Sequence, residues 1–399
     1  MRTGKDFFGG RSRGRPLRAG LARDAARVRI AIVTESFLPQ VNGVTNSVLR
    51  VLAHLRERGD EALVVAPGDG PERSEGFPVV RLPALDLPVV SSLPVGLPTG
   101  RLQRALADFD PDVVHLASPF LVGARGLAAA HRIGAPVVAV YQTDVAGFAA
   151  SYGLGLTSRA AWRWLRRVHR AADRTLAPSS WAVEELRRRG VPRVHRWGRG
   201  VDTARFAPGH RDEAVRAELA PGGELLVGYV GRLAPEKRID RLSALAGMPG
   251  VKVVVVGDGP ERARLAGLDA EFLGQRTGDE LARICASFDV FVHPGPHETF
   301  CQAVQEAMAA GVPVLAPDAG GPRDLVRHGR TGYLLPPHDD AAFGRELRAS
   351  VSALRDPGLR ARLGAAGRAA VAHRTWPAIC DELVGHYAAV ADPSWPLAA

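Results

Sequence analysis

Two glutamates and the segment around them are the residues best suited to chemistry in this chain. Glu298 and Glu306 lie eight positions apart within residues 294–308, which follow an apolar strand and open a helix. If both belong to that helix, eight rises separate them by about 12 Å, which suits carboxylates that accept hydroxyl hydrogens at two ends of one ligand. The free N–H groups of the first helical turn favour a phosphate or an electron-rich sugar there. A surface helix with two solvated glutamates is the weaker alternative.

Two cations occupy another strand-to-helix turn, within residues 230–238. Arg232 offers a planar fork and Lys237 a point charge, so the two can converge on a diphosphate. Lys237 stands out because the chain has only three lysines. Ordinary loop cations remain the alternative. The pair Gly257 and Gly259 lacks the third glycine of a dinucleotide fingerprint and predicts a tight turn instead.

The first half of the chain offers fewer candidates. Gly43 follows the first strand and precedes a helix, so it would let backbone N–H groups approach a phosphate from the opposite wall. Asp144 follows the strand predicted at 136–141, at the edge where open αβ sheets bind ligands, and accepts sugar hydroxyls there or caps a helix. Asp110-Pro-Asp112 reads as a turn, and the histidines lack ligand spacing, so we predict no metal site.

Composition limits the class of protein. The 399 residues are 46% hydrophobic, which excludes a disordered chain, and they allow two or three domains. Three well-separated cysteines (Cys285, Cys301 and Cys380) exclude a disulfide scaffold or a zinc ribbon and favour a reducing, cytosolic setting. No apolar run reaches the roughly 18–20 residues that span a bilayer. Any contact with a membrane is therefore expected to be peripheral.

The net charge of +10 is unevenly distributed along the chain. Residues 1–27 carry +6, residues 28–200 carry +7, and residues 201–399 carry −3. A basic nucleic-acid-binding protein is one explanation of this excess. Against it, the chain contains no recognised nucleic-acid motif, and the candidate diphosphate and carboxylate residues lie in the half with net negative charge.

Strands and helices alternate along the chain, which predicts parallel sheets covered on both faces. We expect an α/β protein with two Rossmann-like domains facing one another across a cleft. The expected parts are a disordered basic tail at 1–27, an N-terminal acceptor-binding domain at 28–203, a C-terminal donor-binding domain at 204–375, and a helix at 376–399 that crosses back to the first domain. The Pro-rich stretch 82–98 is predicted to be a long loop.

A helix predicted at 159–174 gathers arginines on one face. At 100° per residue these side chains span an arc of about 100°, with Trp162 and Trp164 at its sides. Such a cationic stripe suits an anionic lipid surface, and a solvated helix face is the equal alternative. The arginines of the arc are Arg159, Arg163, Arg166, Arg167, Arg170 and Arg174.

These residues together resemble a known family. Glu298 and Glu306 reproduce the E-x7-E signature of retaining glycosyltransferases with the GT-B fold. Gly231-Arg232 with Lys237, and Gly320-Gly321-Pro322, are similar to glycosyltransferase family 4. The segments 141–144, 199–202 and 298–302 further resemble the actinobacterial GDP-mannose-dependent α-mannosyltransferases of lipoglycan synthesis.

The resemblance implies a nucleotide-diphosphate sugar, GDP-mannose above all, bound mainly by the second domain. Arg232 and Lys237 would hold the diphosphate, Glu306 the ribose, and the loop around Arg276 the base. Glu298 and the segment formed by Thr299, Phe300, Cys301 and Gln302 would hold the sugar and the distal phosphate. Transfer would retain the anomeric configuration without a metal, and the leaving phosphate would help to deprotonate the acceptor hydroxyl.

On the acceptor side, the resemblance implies sugar or acceptor contacts from Gln142 and Arg199, and we expect Glu298 and Asp144 to be the catalytic carboxylates. The acceptor would be a membrane-anchored glycolipid, such as a phosphatidylinositol mannoside or a glucuronosyl diacylglycerol, at the cytoplasmic face of the membrane. A UDP-sugar donor or a soluble acceptor is the alternative. Two positions depart from the family: Gln142 stands where many members have His, and Cys301 where Gly is usual. These departures leave the identity of the sugar open.

Overall fold

Short, buried segments rich in β-branched residues form the strands of both sheets. A strand that carries apolar side chains on both faces is stable only where the sheet is covered on both sides. In the N-terminal half the strands are β1 (Arg29–Thr34), β2 (Glu61–Pro67), β3 (Arg73–Ser74), β4 (Phe77–Leu82), β5 (Ala84–Leu85), β6 (Val95–Gly96), β7 (Val113–Ala117), β8 (Val137–Val140), β9 (Arg174–Ala177) and β10 (Val194–Arg196). The computed structural model describes residues 28–85, 95–96, 100–117, 119–142 and 155–391.

Eight of these strands form the first sheet, in the order β10-β9-β8-β7-β1-β2-β4-β3. The strands are parallel except for β3, which pairs antiparallel with β4. The helices of this half are α1 (Gly43–Arg58), α2 (Arg101–Phe109), α3 (Val122–Ile133), α4 (Gly155–Ala171) and α5 (Ser180–Arg188). Alternate residues of β1 face opposite cores: Ile32 packs with α1, and Val33 packs with α2 and α3.

The second half repeats this architecture. Its strands are β11 (Leu225–Val230), β12 (Val251–Val256), β13 (Glu271–Gly274), β14 (Val290–Val292), β15 (Val314–Pro317) and β16 (Gly332–Leu335), all parallel in the order β13-β12-β11-β14-β15-β16. Its helices are α6 (Glu213–Leu219), α7 (Gly278–Ser287), α8 (Gln302–Ala309), α9 (Pro322–Leu325), α10 (Asp340–Ala353) and α11 (Pro357–Val371). The 3-10 segments are Pro208–His210, Pro235–Lys237 and Ile239–Leu245.

The last helix, α12 (Trp376–Ala388), packs on the first sheet beside α1. The indole N–H of Trp197 donates to the Ile379 carbonyl at 2.8 Å, and the Tyr387 hydroxyl lies 2.6 Å from His115 Nδ1. Burial lowers the pKa of His115 to about 3, so this imidazole is neutral at physiological pH. The helix therefore joins the two halves, and the exact domain limits at 203 and 375 stay a prediction.

The prediction of two parallel-sheet αβ domains is confirmed, with three local corrections. The helix predicted at 159–174 ends at Ala171, because Asp173 accepts the Val137 N–H at 2.8 Å and turns the chain into β9, which contains Arg174. The stretch 82–98 contains the short antiparallel pair β5 and β6. The tail 1–27 lies outside the described residues.

Across the described ranges, no helix has both the length and the apolar composition needed to cross a bilayer.

Candidate active site

The loop between β14 and α8 forms the centre of the site. Glu298 lies in this loop, whereas Glu306 lies on α8, so the two glutamates are presented by different kinds of structure. Cys301 ends the loop with φ 80° and ψ 79°, a left-handed conformation that turns the chain into the helix. The loop follows a buried parallel strand, so it lies at the carboxyl edge of the sheet, where open αβ sheets bind ligands.

Lys237 and His293 converge on Glu298. The Lys237 Nζ lies 2.5 Å from Glu298 Oε1, and His293 Nε2 lies 3.1 Å from the same oxygen. Burial opposes the negative charge of Glu298, but the two cations outweigh it and lower the pKa of Glu298 to about 2. Burial likewise opposes the charge of Lys237, yet Glu298 raises its pKa. The result is a partly buried carboxylate held by two positive groups from separate elements.

His293 and Gly295 are site residues that sequence reasoning missed. A lone histidine after a strand carries no distinctive pattern, although its place at the carboxyl end of β14 was a usable signal. Gly295 matters for packing: a Cβ there would lie 2.8 Å from the Glu236 carbonyl and 2.9 Å from Lys237 Cα. Glycine therefore allows the 3-10 segment with Lys237 to approach the loop with Glu298.

Two further glycines hold the same loop from its other side. The Gly321 N–H donates to the Glu298 carbonyl at 2.8 Å. A Cβ on Gly320 would lie 2.5 Å from that carbonyl, and one on Gly321 would lie 2.3 Å from Phe300. Phe300 itself is buried, with the guanidinium of Arg374 5.5 Å from its ring. The Gly-Gly-Pro motif thus fixes the path of the backbone behind Glu298.

Glu306 faces charges from both halves of the molecule. Gln302 donates to Glu306 Oε1 at 3.2 Å and also to the Gly200 carbonyl at 3.0 Å, so α8 is tied to the segment that joins the halves. Burial raises the pKa of Glu306 to about 7, while Gln302 and the charges of Arg50 and Arg205 oppose the rise. The side chain therefore changes its charge near neutral pH.

Arg199 connects the joining segment to the first domain. Its guanidinium donates to Gln142 Oε1 at 2.7 Å and to the Gly43 carbonyl at 2.8 Å. Burial lowers the pKa of Arg199 to about 10, and the charge of Glu298 opposes that shift. Thr299 adds a contact across the cleft, because its hydroxyl donates to the Gln142 carbonyl at 3.3 Å. Gln142 thus meets residues from both walls.

The remaining predicted residues stand at the rim or outside the described chain. Arg232 pairs with Glu236 at 3.3 Å and keeps 43% of its side chain exposed. Arg276 follows β13 and pairs with Glu280 at 3.1 Å. Both remain accessible to a ligand. Asp144 falls within the residues that the structure does not describe.

The arginine face of α4 is exposed as its helical period implies, but the prediction for Trp162 is wrong. Trp162 is 9% exposed, stacks on Tyr141 at 6.1 Å, and is covered by the guanidinium of Arg189 at 3.8 Å. The indole of Trp164 donates to the Phe120 carbonyl. Both tryptophans therefore pack against neighbouring elements of the same domain and do not face outward beside the arginines. The exposed arginines are Arg159, Arg163, Arg166, Arg167 and Arg170.

Comparison with known proteins assigns both halves of the chain to glycosyltransferase families. Residues 41–205 match Glycosyltransferase Family 4, and residues 210–370 match Glycosyl transferases group 1. A GDP-mannose-dependent alpha-mannosyltransferase of Mycobacterium tuberculosis is 57% identical over 371 residues, which cover 91% of this chain and 97% of that protein. This chain belongs to glycosyltransferase family 4. It is therefore an enzyme.

A more distant relative and a solved structure are also similar to this glycosyltransferase. A GDP-mannose-dependent alpha-(1-6)-phosphatidylinositol dimannoside mannosyltransferase of M. tuberculosis is 30% identical over 305 residues, covering 72% of this chain and 79% of that protein. The crystal structure of Anabaena HepE in complex with UDP has a TM-score of 0.73 at 20% identity, covering 91% of this chain and all of that one. The GT-B fold expected from the sequence is confirmed.

Proposed function

We propose that this glycosyltransferase transfers mannose from GDP-mannose, with retention of configuration, to a lipid-anchored glycan acceptor. The observation that carries the donor is the 57% identity, across nearly the whole of both chains, to a protein named for GDP-mannose. The 30% identical relative named for a phosphatidylinositol dimannoside supports an acceptor of the lipid class. The arrangement around Glu298 is compatible with both.

The donor diphosphate would lie between Arg232 and Lys237. Lys237 already stands 2.5 Å from Glu298, so it can neutralise charge that develops on the departing phosphate while Glu298 accepts sugar hydroxyls. Glu306, one residue into the second turn of α8, would accept the ribose hydroxyls. The backbone at 299–302 would supply N–H donors at the start of the helix.

No protein nucleophile is needed for this reaction. The bond between the sugar C1 and the phosphate oxygen breaks, and a bond from C1 to the acceptor oxygen forms on the same face. The acceptor proton goes to an oxygen of the leaving phosphate. Catalysis then consists of positioning the reactants and stabilising charge on the nucleotide. Gln142, which can donate and accept a hydrogen bond but cannot titrate, would orient a sugar or acceptor hydroxyl, and Asp144 would accept another.

The donor is tested by calorimetric binding and hydrolysis assays of the purified enzyme with GDP-mannose, UDP-glucose and UDP-GlcNAc. We expect GDP-mannose to be preferred at least tenfold in kcat/KM, with an α-linked product by NMR when a lipid acceptor is supplied. Preference for a UDP-sugar would replace the donor assignment. Transfer to a water-soluble acceptor at the same rate would replace the acceptor assignment.

The exposed arginines of α4 are proposed to rest on an anionic bilayer. A Lys or Arg beside an anionic surface contributes about 1 kcal/mol, so changing Arg159, Arg163, Arg166 and Arg170 together to Gln is expected to weaken vesicle binding by about 100-fold or more. Cosedimentation with vesicles of phosphatidylglycerol in phosphatidylcholine at low salt measures this effect.

The control for this prediction carries the same change of charge on the other domain. Arg323, Arg330, Arg345 and Arg362 are all exposed on the C-terminal half, and their joint replacement by Gln should leave vesicle binding within about threefold. Equal losses in the two quadruple variants would show that total charge, and not the α4 face, governs binding.

A further inference from the structure

We propose that His293, Glu298 and Cys301 form a binding site for a thiophilic divalent cation of the Zn²⁺ class, and that such a cation competes with the nucleotide sugar. An imidazole nitrogen, a carboxylate oxygen and a thiol sulfur lie within 4.8 Å of one another. His293 and Cys301 are 2% and 6% exposed, and Glu298 keeps 14% of its side chain exposed. The three groups therefore converge in a largely dry site.

The ligand types and spacing select the metal. Zinc binds thiolate at about 2.3 Å, imidazole at about 2.0–2.1 Å and carboxylate at about 2.0–2.2 Å, so in its usual tetrahedral arrangement the ligand atoms lie about 3.4–3.6 Å apart. His293 Nε2 and Glu298 Oε1 are 3.1 Å apart, and within the 4.8 Å cluster the Cys301 sulfur has to approach them by rotation of its side chain. Mg²⁺ and Ca²⁺ prefer shells of oxygen ligands and would gain little from a thiol and an imidazole.

The histidine supplies an observation that is independent of the cluster. His293 Nε2 is paired with Glu298 Oε1 at 3.1 Å, whereas the buried Nδ1 lacks a hydrogen-bond partner among the described residues. Its ring is stacked on Tyr229 at 6.3 Å, which fixes its orientation. A buried nitrogen without a partner is costly, and a metal bond would satisfy it.

The backbone of Cys301 is strained at this same cluster. Its φ of 80° lies in the left-handed region, where a side chain costs roughly 1–2 kcal/mol relative to glycine. Replacement by glycine would therefore relieve strain. A cysteine retained at a strained position beside a buried imidazole is consistent with a role for its sulfur, since strained residues cluster at functional sites.

The cation and the nucleotide sugar would compete because both use the carboxylate of Glu298. Lys237 lies 2.5 Å from Glu298 Oε1, so a cation binds that oxygen in place of the lysine or binds the second carboxylate oxygen. The thiol and imidazole protons are released to solvent when the metal binds. A metal-bound Glu298 cannot accept sugar hydroxyls at the same time. This competition rests on the proposed function, whereas the metal site itself does not.

The site is tested with Co²⁺, a spectroscopic substitute for Zn²⁺, added to the full-length enzyme without a polyhistidine tag. We expect one equivalent to bind with a thiolate-to-cobalt charge-transfer band in the near ultraviolet, which Zn²⁺ abolishes and excess Mg²⁺ does not. Cys301→Gly should lose the band and still fold, because glycine accepts the backbone angle. Cys285→Ala and Cys380→Ala, at the other two buried cysteines, are matched controls that should keep it.

Absence of the band in the wild-type enzyme, or its persistence in Cys301→Gly, would overturn the metal site. For the competition, Zn²⁺ should raise the apparent KM for GDP-mannose with little change in kcat, and Cys301→Gly should need at least tenfold more Zn²⁺ for the same effect. A cobalt band with no effect of Zn²⁺ on KM would overturn the competition alone. If GDP-mannose is not a substrate, the proposed function fails, and the cobalt spectrum still decides the metal site.

Discussion

Replacing Lys237 with Met is expected to lower kcat/KM for the nucleotide sugar by about 10²–10³-fold, because it removes a preorganised positive charge from the departing phosphate. Lys237 is also a partner of Glu298, a partly buried carboxylate, at 2.5 Å. Removing one member of a buried ion pair costs about 3–5 kcal/mol. We expect a loss of about 2 kcal/mol here, since His293 continues to face Glu298. Steady-state kinetics and urea unfolding measure the two effects.

A matched variant and a double variant separate these effects. Lys252, on β12, forms a long 3.9 Å ion pair at the surface, so Lys252→Met should keep activity and stability within about twofold and 0.5 kcal/mol. Lys237→Met combined with Glu298→Gln should recover most of the lost stability and none of the activity. Full activity in Lys237→Met would remove the lysine from the diphosphate site.

Replacing Glu306 with Gln is expected to weaken nucleotide-sugar binding by about 10–100-fold at pH 8, because a carboxylate that accepts two hydroxyl hydrogens becomes an amide with one accepting oxygen. The same change should stabilise the ligand-free enzyme at that pH. Burial raises the pKa of Glu306 to about 7, so its ionised form is disfavoured in the folded state.

The pH dependence of Glu306 follows from that raised pKa. Between about pH 4.5 and pH 7 the folded state holds a proton at Glu306 that the unfolded state has released, so stability falls as pH rises through this window. The loss of folding stability that results from ionising Glu306 is complete above pH 7 and absent below pH 4.5. One pKa unit corresponds to about 1.4 kcal/mol, and the residue is partly exposed, so we expect a gain of about 1–2 kcal/mol for Glu306→Gln at pH 8.

Thermal unfolding at pH 5 and pH 8 checks this prediction, with Glu346→Gln, an exposed glutamate on α10, as the control. The gain in Tm of Glu306→Gln should appear at pH 8 and vanish near pH 5, whereas the control should change little at either pH. A loss of stability at pH 8 would show that ionised Glu306 is well compensated in the ligand-free enzyme.

Local sequence patterns predicted the architecture well, because parallel strands buried on both faces are visible in the sequence as continuous apolar runs, which loops do not contain. Asn42 illustrates the limit of these patterns: its side chain accepts the Val44 and Thr45 N–H groups and starts α1 at Gly43, a boundary that apolar spacing does not show. The segment 239–245 forms a 3-10 helix, a distinction that apolar spacing does not make.

Long-range contacts required the tertiary structure. Glu298 and Lys237 are 61 positions apart, and nothing in either motif shows that one side chain binds the other before a ligand arrives. Helical period alone placed Trp162 beside the arginine arc, but Tyr141 and Arg189, from other elements, bury it.

By itself the sequence determined the class of fold, because alternating apolar strands and helices predict it. It also determined the residue types available for diphosphate and sugar binding, because these lie in short motifs at strand ends. Only the tertiary structure decided which polar groups meet: it placed His293 against Glu298, Arg199 against Gln142, and Glu306 where burial raises its pKa. Charge state depends on distance and burial, and those arise when segments far apart in the chain pack together.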